Sequence, residues 1–341
     1  MKFSNQKYEL QLDKMGAVMS LKSMGKQFIK QRLPLFVFQL RDGGNTQIIN
    51  SDQAQNITLC DNGDNIKLKY EFKSLTFDIK MVFGNRIEAT FSFQNYTNMY
   101  VEWVSFCPLA VPNDLVSTGG NGHIIIDTNE GMLIEDIKLK ENFYPYKFRS
   151  LDYPSEGLYA MFPAVVQSQF LSYYDDTAGI YIAAEDTERT VKGIDFGPLD
   201  DAIKLQFKLY PGIEKGVTQF NLGYNLVMDF FCGDWYNAAQ MYREWFEENL
   251  PKNLLPIEEN QDLPEWYTDS PLVVTYPVQG IHDMDPSGPN RLFPYSNALP
   301  YLEKIGKATD SRIMAVLMHW ESTAPWAPPY VWPPLGGEKM L

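Results

Sequence analysis

The sequence predicts a mainly β protein: a large antiparallel β-sandwich, one linking helix, and then a short βα segment. The prediction rests on three observations. Apolar and polar residues alternate through most of residues 1–225, turn-forming clusters separate the alternating runs, and the pattern changes at Gly233 first to helical and then to βαβ spacing.

The alternating runs are Tyr8–Asp13, Ile66–Phe72, Ile87–Phe93 and Ile203–Leu209, each with apolar side chains on one face and polar ones on the other. Between such runs lie "RDGGN" (41–45), "DNGDN" (61–65) and "DDTAG" (175–179), where Gly or Asn accommodates a tight turn. Sheets with one wet face are expected. In "GDWYNAAQMYREWFEENLP" (233–251), Trp235, Ala238, Ala239, Tyr242, Trp245, Phe246 and Leu250 fall at helical spacing, with Asp234 placed to cap and Pro251 to stop. Pro251, Pro256 and Pro264 then punctuate a linker. From residue 270, "PLVVTYPVQG" and "RIMAVLMH" read as buried parallel strands flanking a helix that carries Ala298, Leu302 and Ile305. The expected division is therefore 1–230, 231–269 and 270–341.

Composition narrows the function. Hydrophobic residues make up 45% and aromatics 14%, enough for a substantial core. Asp and Glu number 43 against 29 Lys and Arg, a net charge of -14 that disfavours nucleic acid or an anionic membrane as a partner. Cys60, Cys107 and Cys232 are too scattered for a disulfide framework or zinc site and read as buried small hydrophobes. His123, His282 and His319 share no ligand spacing, and no dinucleotide fingerprint or nucleophile triad is present, so no metal and no cofactor is expected. "STGGNGHIIIDTNEG" (117–131) lacks the Lys-Ser/Thr ending of a phosphate loop and reads as a glycine-rich hairpin with Ile124–Ile126 in a strand. The amino terminus carries no apolar signal region, so the chain as written is expected in the cytoplasm, or in the periplasm or outside the cell if a signal has been removed.

"YELQLDKMGAVMSLKSMGKQFI", "YYDDTAGIYIAAED", the 233–251 helix and "LPEWYTDSPLVVTYPVQG", in that order, resemble a bacterial glycoside-hydrolase-like family laid out like α-galactosidases and endo-α-N-acetylgalactosaminidases. The resemblance implies an N-terminal supersandwich of the galactose-mutarotase type followed by a (β/α)8 barrel. Such a barrel takes about 250 residues, whereas 271–341 accommodate two strands and one helix. A fragment of a longer hydrolase is therefore expected, with the catalytic carboxylates on later strands and this chain inactive alone.

On that layout the loops after the two strands face the site. Trp320, Trp326 and Trp332 offer flat apolar faces to a sugar ring, or else plug the fold. Glu321 is the carboxylate placed to hydrogen-bond a sugar hydroxyl and the one weak catalytic candidate; a glycosidase needs a second about 5 to 9.5 Å away. His282, Asp283 and His319 complete the expected substrate contacts. "HDMDPSGPN" (282–290) starts like a calcium loop but has Pro294 where the final Glu belongs, so a turn or a substrate loop is read there. Two functions stand open: part of a glycoside hydrolase acting on oligo- or polysaccharide, or a carbohydrate-binding or scaffolding β-protein without chemistry.

Overall fold

The computed structural model describes residues 1–115, 122–128, 131–135, 158–175, 177–212, 218–251, 254–269, 271–281 and 288–318. The chain divides into two compact units, Met1–Leu250 and Pro251–Leu341.

The first unit is a mainly antiparallel sandwich, as the alternation predicts. A ten-stranded sheet runs in the order Met132–Ile134, His123–Ile126, Phe170–Tyr174, Gly179–Ala184, Leu226–Phe231, Ile87–Asn95, Leu75–Phe83, Asn65–Glu71, Asn56–Asp61, with Gln219–Asn221 also paired to Ile87–Asn95. A six-stranded sheet runs Leu158–Phe162, Lys192–Pro198, Ala202–Leu209, Tyr100–Pro112, Phe36–Asp42, Asn45–Asn50. Four short strands at the amino terminus, Lys2–Ser4 to Lys26–Gln27, form a further sheet.

Period-two alternation sets the register. Along Ile87–Asn95, paired to Leu75–Phe83 from Ile87 opposite Phe83 to Asn95 opposite Leu75, every odd-numbered residue is buried. The aromatic residues of the two large sheets meet between them. Phe36 stacks on Phe77 with ring centroids 4.4 Å apart and meets Tyr70 edge-on at 4.9 Å, while Phe91 and Phe106 meet edge-on at 4.9 Å. Burying one such ring stabilises the fold by about 1.5–3 kcal/mol.

One expectation fails on the six-stranded sheet. Ala202–Leu209 was expected to have a wet face, yet Gln206 and Lys208 are buried. Polar residues of neighbouring strands meet them: Ser105 Oγ donates to Gln206 Oε1 at 2.6 Å, and Gln206 Nε2 donates to Asp195 Oδ2 at 2.7 Å. Farther along the same sheet Gln39 donates to Glu102, which also pairs with Arg41 at 2.7 Å. Alternation reads the same whether the polar face meets water or other polar groups.

A second buried polar cluster surrounds Lys192, which is 0% exposed. Its Nζ donates to Gln169 Oε1 at 2.7 Å, Asp186 Oδ2 at 2.9 Å and the Thr190 carbonyl at 2.5 Å, using all three protons. Burial pulls the ammonium below the usual lysine range, against the pull of Asp186. Burial also pushes Asp186 up, but hydrogen bonds from Thr190 and Lys192 outweigh it and hold the carboxyl below its ordinary value.

The cysteines correct another expectation. Cys107 is buried, but Cys60 and Cys232 are exposed. Cys60 lies on the sheet's edge strand Asn56–Asp61, and Cys232 follows the end of Leu226–Phe231, so neither position has a covering layer.

In the second unit, Leu272–Tyr276 pairs in parallel with Ile313–Leu317, from Leu272 opposite Ile313 to Tyr276 opposite Leu317. The crossover contains helix α2 (Leu299–Thr309), which has Pro in its first turn and ends at Asp310 in the left-handed conformation, φ 47°. The elements are those expected. Leu272, Val273, Val316 and Leu317 are exposed, because this parallel pair has no further strand beside it among the described residues. No helix among the described residues is long and apolar enough to cross a membrane.

Two predictions follow from these environments. In the native protein Cys60 and Cys232 should react with a thiol reagent while Cys107, whose thiol burial pushes up, reacts only after unfolding. Asp186→Ala strands the Lys192 charge and should cost about 3–5 kcal/mol in denaturant unfolding, whereas the double replacement Asp186→Leu with Lys192→Met should cost clearly less. Because the folded-state value of Asp186 is depressed, the wild-type margin over Asp186→Ala is full above about pH 4 and disappears as pH falls through that lower value.

Candidate functional site

Parallel pairing puts the carboxyl ends of Leu272–Tyr276 and Ile313–Leu317 on the same edge of their sheet. The chain just beyond these ends is tightly tied. Asn290 Nδ2 donates to the carbonyls of Pro277 and Gly280, both at 3.0 Å, and its Oδ1 accepts from the Leu292 amide at 2.8 Å. Tyr295 Oη donates to the Met318 carbonyl at 2.6 Å, and Tyr276, Val278, Tyr295 and Ala298 form a small core beneath. Both strand ends are therefore held by side chains rather than left to loop entropy.

The residues expected to contact substrate come after these ends in sequence. His282 and Asp283 come after Ile281; His319, Trp320, Glu321, Trp326 and Trp332 come after Met318. All seven lie outside the described residues, as do residues 282–287 of the loop that starts like a calcium site. What the described part establishes is the shared edge from which both segments depart.

A concave feature lies wholly within the first unit. Of the 117–131 stretch, residues 117–121 and 129–130 lie outside the described residues; the rest supplies the expected strand, His123–Ile126, which pairs with Met132–Ile134, and the Gly131 amide donates to the Thr128 carbonyl at 2.8 Å. Beside it stands helix α1 (Trp235–Glu248), capped as predicted by Asp234, whose side chain accepts from the Tyr236 amide at 2.9 Å. Asn237 Oδ1 in turn accepts from the Asp234 amide at 3.1 Å. Gly233 is required there: its φ is +113°, and a Cβ would come within 2.0 Å of Asn237 Oδ1.

The two strands and the helix line an open pocket of about 580 Å³. On the helix side it is lined by Trp235, Ala239 and Tyr242, which share a face at i, i+4 and i+7, and Phe170 lies against Tyr242 with centroids 5.3 Å apart. Met132 and Leu133 of the hairpin add further apolar lining. Its polar part is Asp127 with Gln167 and Ser168: Asp127 Oδ2 accepts from the Ser168 amide at 2.6 Å and the Gln167 amide at 3.2 Å. Burial pushes the Asp127 carboxyl above its ordinary range despite these bonds. Sequence reading missed this site. Asp127 at a hairpin end looks like any turn residue, and Trp235 and Tyr242 look like the inner stripe of a helix.

A family model described as a domain of unknown function, DUF6259, matches residues 220–326. No curated protein matches the sequence. Among solved structures the chain is similar to alpha-N-acetylgalactosaminidase NagBb from Bifidobacterium bifidum in complex with GalNAc: TM-score 0.65, 12% identity, covering 100% of this chain and 56% of that one. It shares its fold with that part of the enzyme. The ligand-free form of the same enzyme aligns with TM-score 0.64 at 12% identity, over 97% of this chain and 54% of that one. A galactose mutarotase related enzyme from Lactobacillus acidophilus aligns over 69% of this chain and 98% of its own, with TM-score 0.44 at 12% identity. This chain thus spans little more than half the length of the NagBb chain.

The tie made by Asn290 is open to test. Asn290→Ala removes the donor to two carbonyls and should lower the stability of the second unit by about 1–3 kcal/mol, read as faster amide exchange around residues 277–281 with exchange in the first unit unchanged.

Proposed function

We propose that this chain supplies the N-terminal supersandwich and the first strands of a (β/α)8 barrel in a glycoside hydrolase acting on oligo- or polysaccharide. The sandwich would extend to about residue 230, the link through 269, and the barrel from 270. One observation carries the reading: a βαβ unit whose parallel strands end on one edge and leave apolar side chains such as Val273 and Val316 uncovered among the described residues. A complete binding or scaffolding protein has little use for such strands, whereas a barrel covers them with further strands and helices.

In this reading His282, Asp283, His319 and Glu321 hydrogen-bond sugar hydroxyls at the strand ends, and Trp320, Trp326 and Trp332 receive ring faces. Hydrolysis needs two carboxylates acting across an oxocarbenium-like transition state, one as acid and one as nucleophile or base. Both are assigned to later strands, with Glu321 a substrate contact. The fold shared with an α-N-acetylgalactosaminidase supports a carbohydrate partner.

The test uses p-nitrophenyl α-N-acetylgalactosaminide with the 341-residue chain. Calorimetry should show binding without release of p-nitrophenol, and Trp320→Ala should weaken binding about tenfold, ~1.4 kcal/mol. Release of p-nitrophenol by this chain would overturn the assignment of the carboxylates. Binding unchanged in both Trp320→Ala and Glu321→Gln would overturn the strand-end placement.

A further inference from the structure

The pocket between the strand pair His123–Ile126 and Met132–Ile134 and α1 has the features of a ligand site rather than a packing defect. At about 580 Å³ it lies in the size range of small-molecule sites, roughly 300–1,000 Å³. Its lining divides into an apolar helix face and a compact polar cluster, and the first residue of that face, Trp235, is 41% exposed. An indole left this open at a pocket wall gives up apolar burial that a folded domain would otherwise take.

The chemistry of the walls selects the ligand. Among the described residues no Lys, Arg or His lines the pocket, and with a net charge of -14 an anion finds no counter-charge among them. A cation is poorly matched too. The Asp127 carboxylate already accepts two backbone amides, which take up much of its charge and leave it suited to a neutral O–H donor. A molecule with a flat apolar face and a rim of hydroxyls fits both halves, and a pyranose ring has that form.

We propose that this pocket binds a neutral saccharide unit, its ring face against Trp235 and a ring hydroxyl donating to Asp127. The site is built only from residues of the first unit and stands whether or not the strand-end loops of the second also hold sugar. Met132 and Leu133 close over the ring from the hairpin, and Gln167 adds a side-chain amide at the polar rim.

The probes are lactose, maltose and N-acetyllactosamine, titrated into the full chain by calorimetry and followed by saturation-transfer NMR. At least one should bind, with a dissociation constant of order 1 mM. Trp235→Ala should weaken it at least about tenfold and Leu133→Ala or Asp127→Asn at least about threefold, each with an unchanged far-ultraviolet spectrum, while Trp320→Ala leaves it intact. Trp235 and Leu133 are exposed, so their variants report on the pocket even if Asp127→Asn fails to fold. The proposal is overturned if none of the three sugars binds, or if tetramethylammonium chloride binds in a Trp235-dependent way and the sugars do not. Binding lost in Trp320→Ala but kept in Trp235→Ala also overturns it, while leaving the strand-end reading standing.

Discussion

The aromatic layer between the two large sheets of the first unit is the constraint on which its other features depend. Phe36 and Phe38 on one sheet pack within ring-contact distance of Tyr70 and Phe77 on the other and of Phe72 just past the end of Asn65–Glu71, and one continuous core extends from Tyr8 to Phe230. Packing at that density fixes the register of every strand that contributes to it, since a slip of one residue would turn a whole apolar set outward. With register fixed inside, the outer faces have no freedom to choose their neighbours. Ser105, Gln206 and Asp195 are brought side by side in this way, and their buried polar groups are then satisfied by one another.

The same rigidity places the pocket beside α1. The helix rests on Phe170, Tyr181 and Phe231 of the ten-stranded sheet through Ala238 and Tyr242. Its start is set by Asp234 and Gly233, so Trp235 is presented at a defined point next to the hairpin. In the second unit the balance is different. A few side-chain ties and the small core around Tyr276 and Tyr295 order the strand ends, while the strand faces remain largely uncovered.

Much of this was legible in the sequence because it depends on local periodicity. The strands at Tyr8–Leu12, Asn65–Glu71 and Ile87–Asn95, the capped helix from Trp235 and the βαβ order after residue 270 all follow from spacing and turn residues. What escaped depends on neighbours distant in sequence. Lys208 and Gln206 look solvated until the adjacent strands are known, and Cys60 looks buried until its strand proves to be an edge. Asp127 and Trp235 are 108 positions apart in the chain (235 minus 127), so no motif could join them into one pocket. The strand-end candidates were found by the converse logic: residue type and position after a strand, without geometry.

The central claim is that the second unit is an open parallel pair built to receive further strands. Native-state amide exchange of the 341-residue chain tests this most directly. The account predicts that amides of Leu272–Tyr276 and Ile313–Leu317 exchange orders of magnitude faster than those of Leu75–Phe83 and Ile87–Asn95, because two strands with uncovered faces are held by few buried contacts. Protection of both parallel strands equal to that of the sandwich core would contradict it, showing a second unit that is already complete.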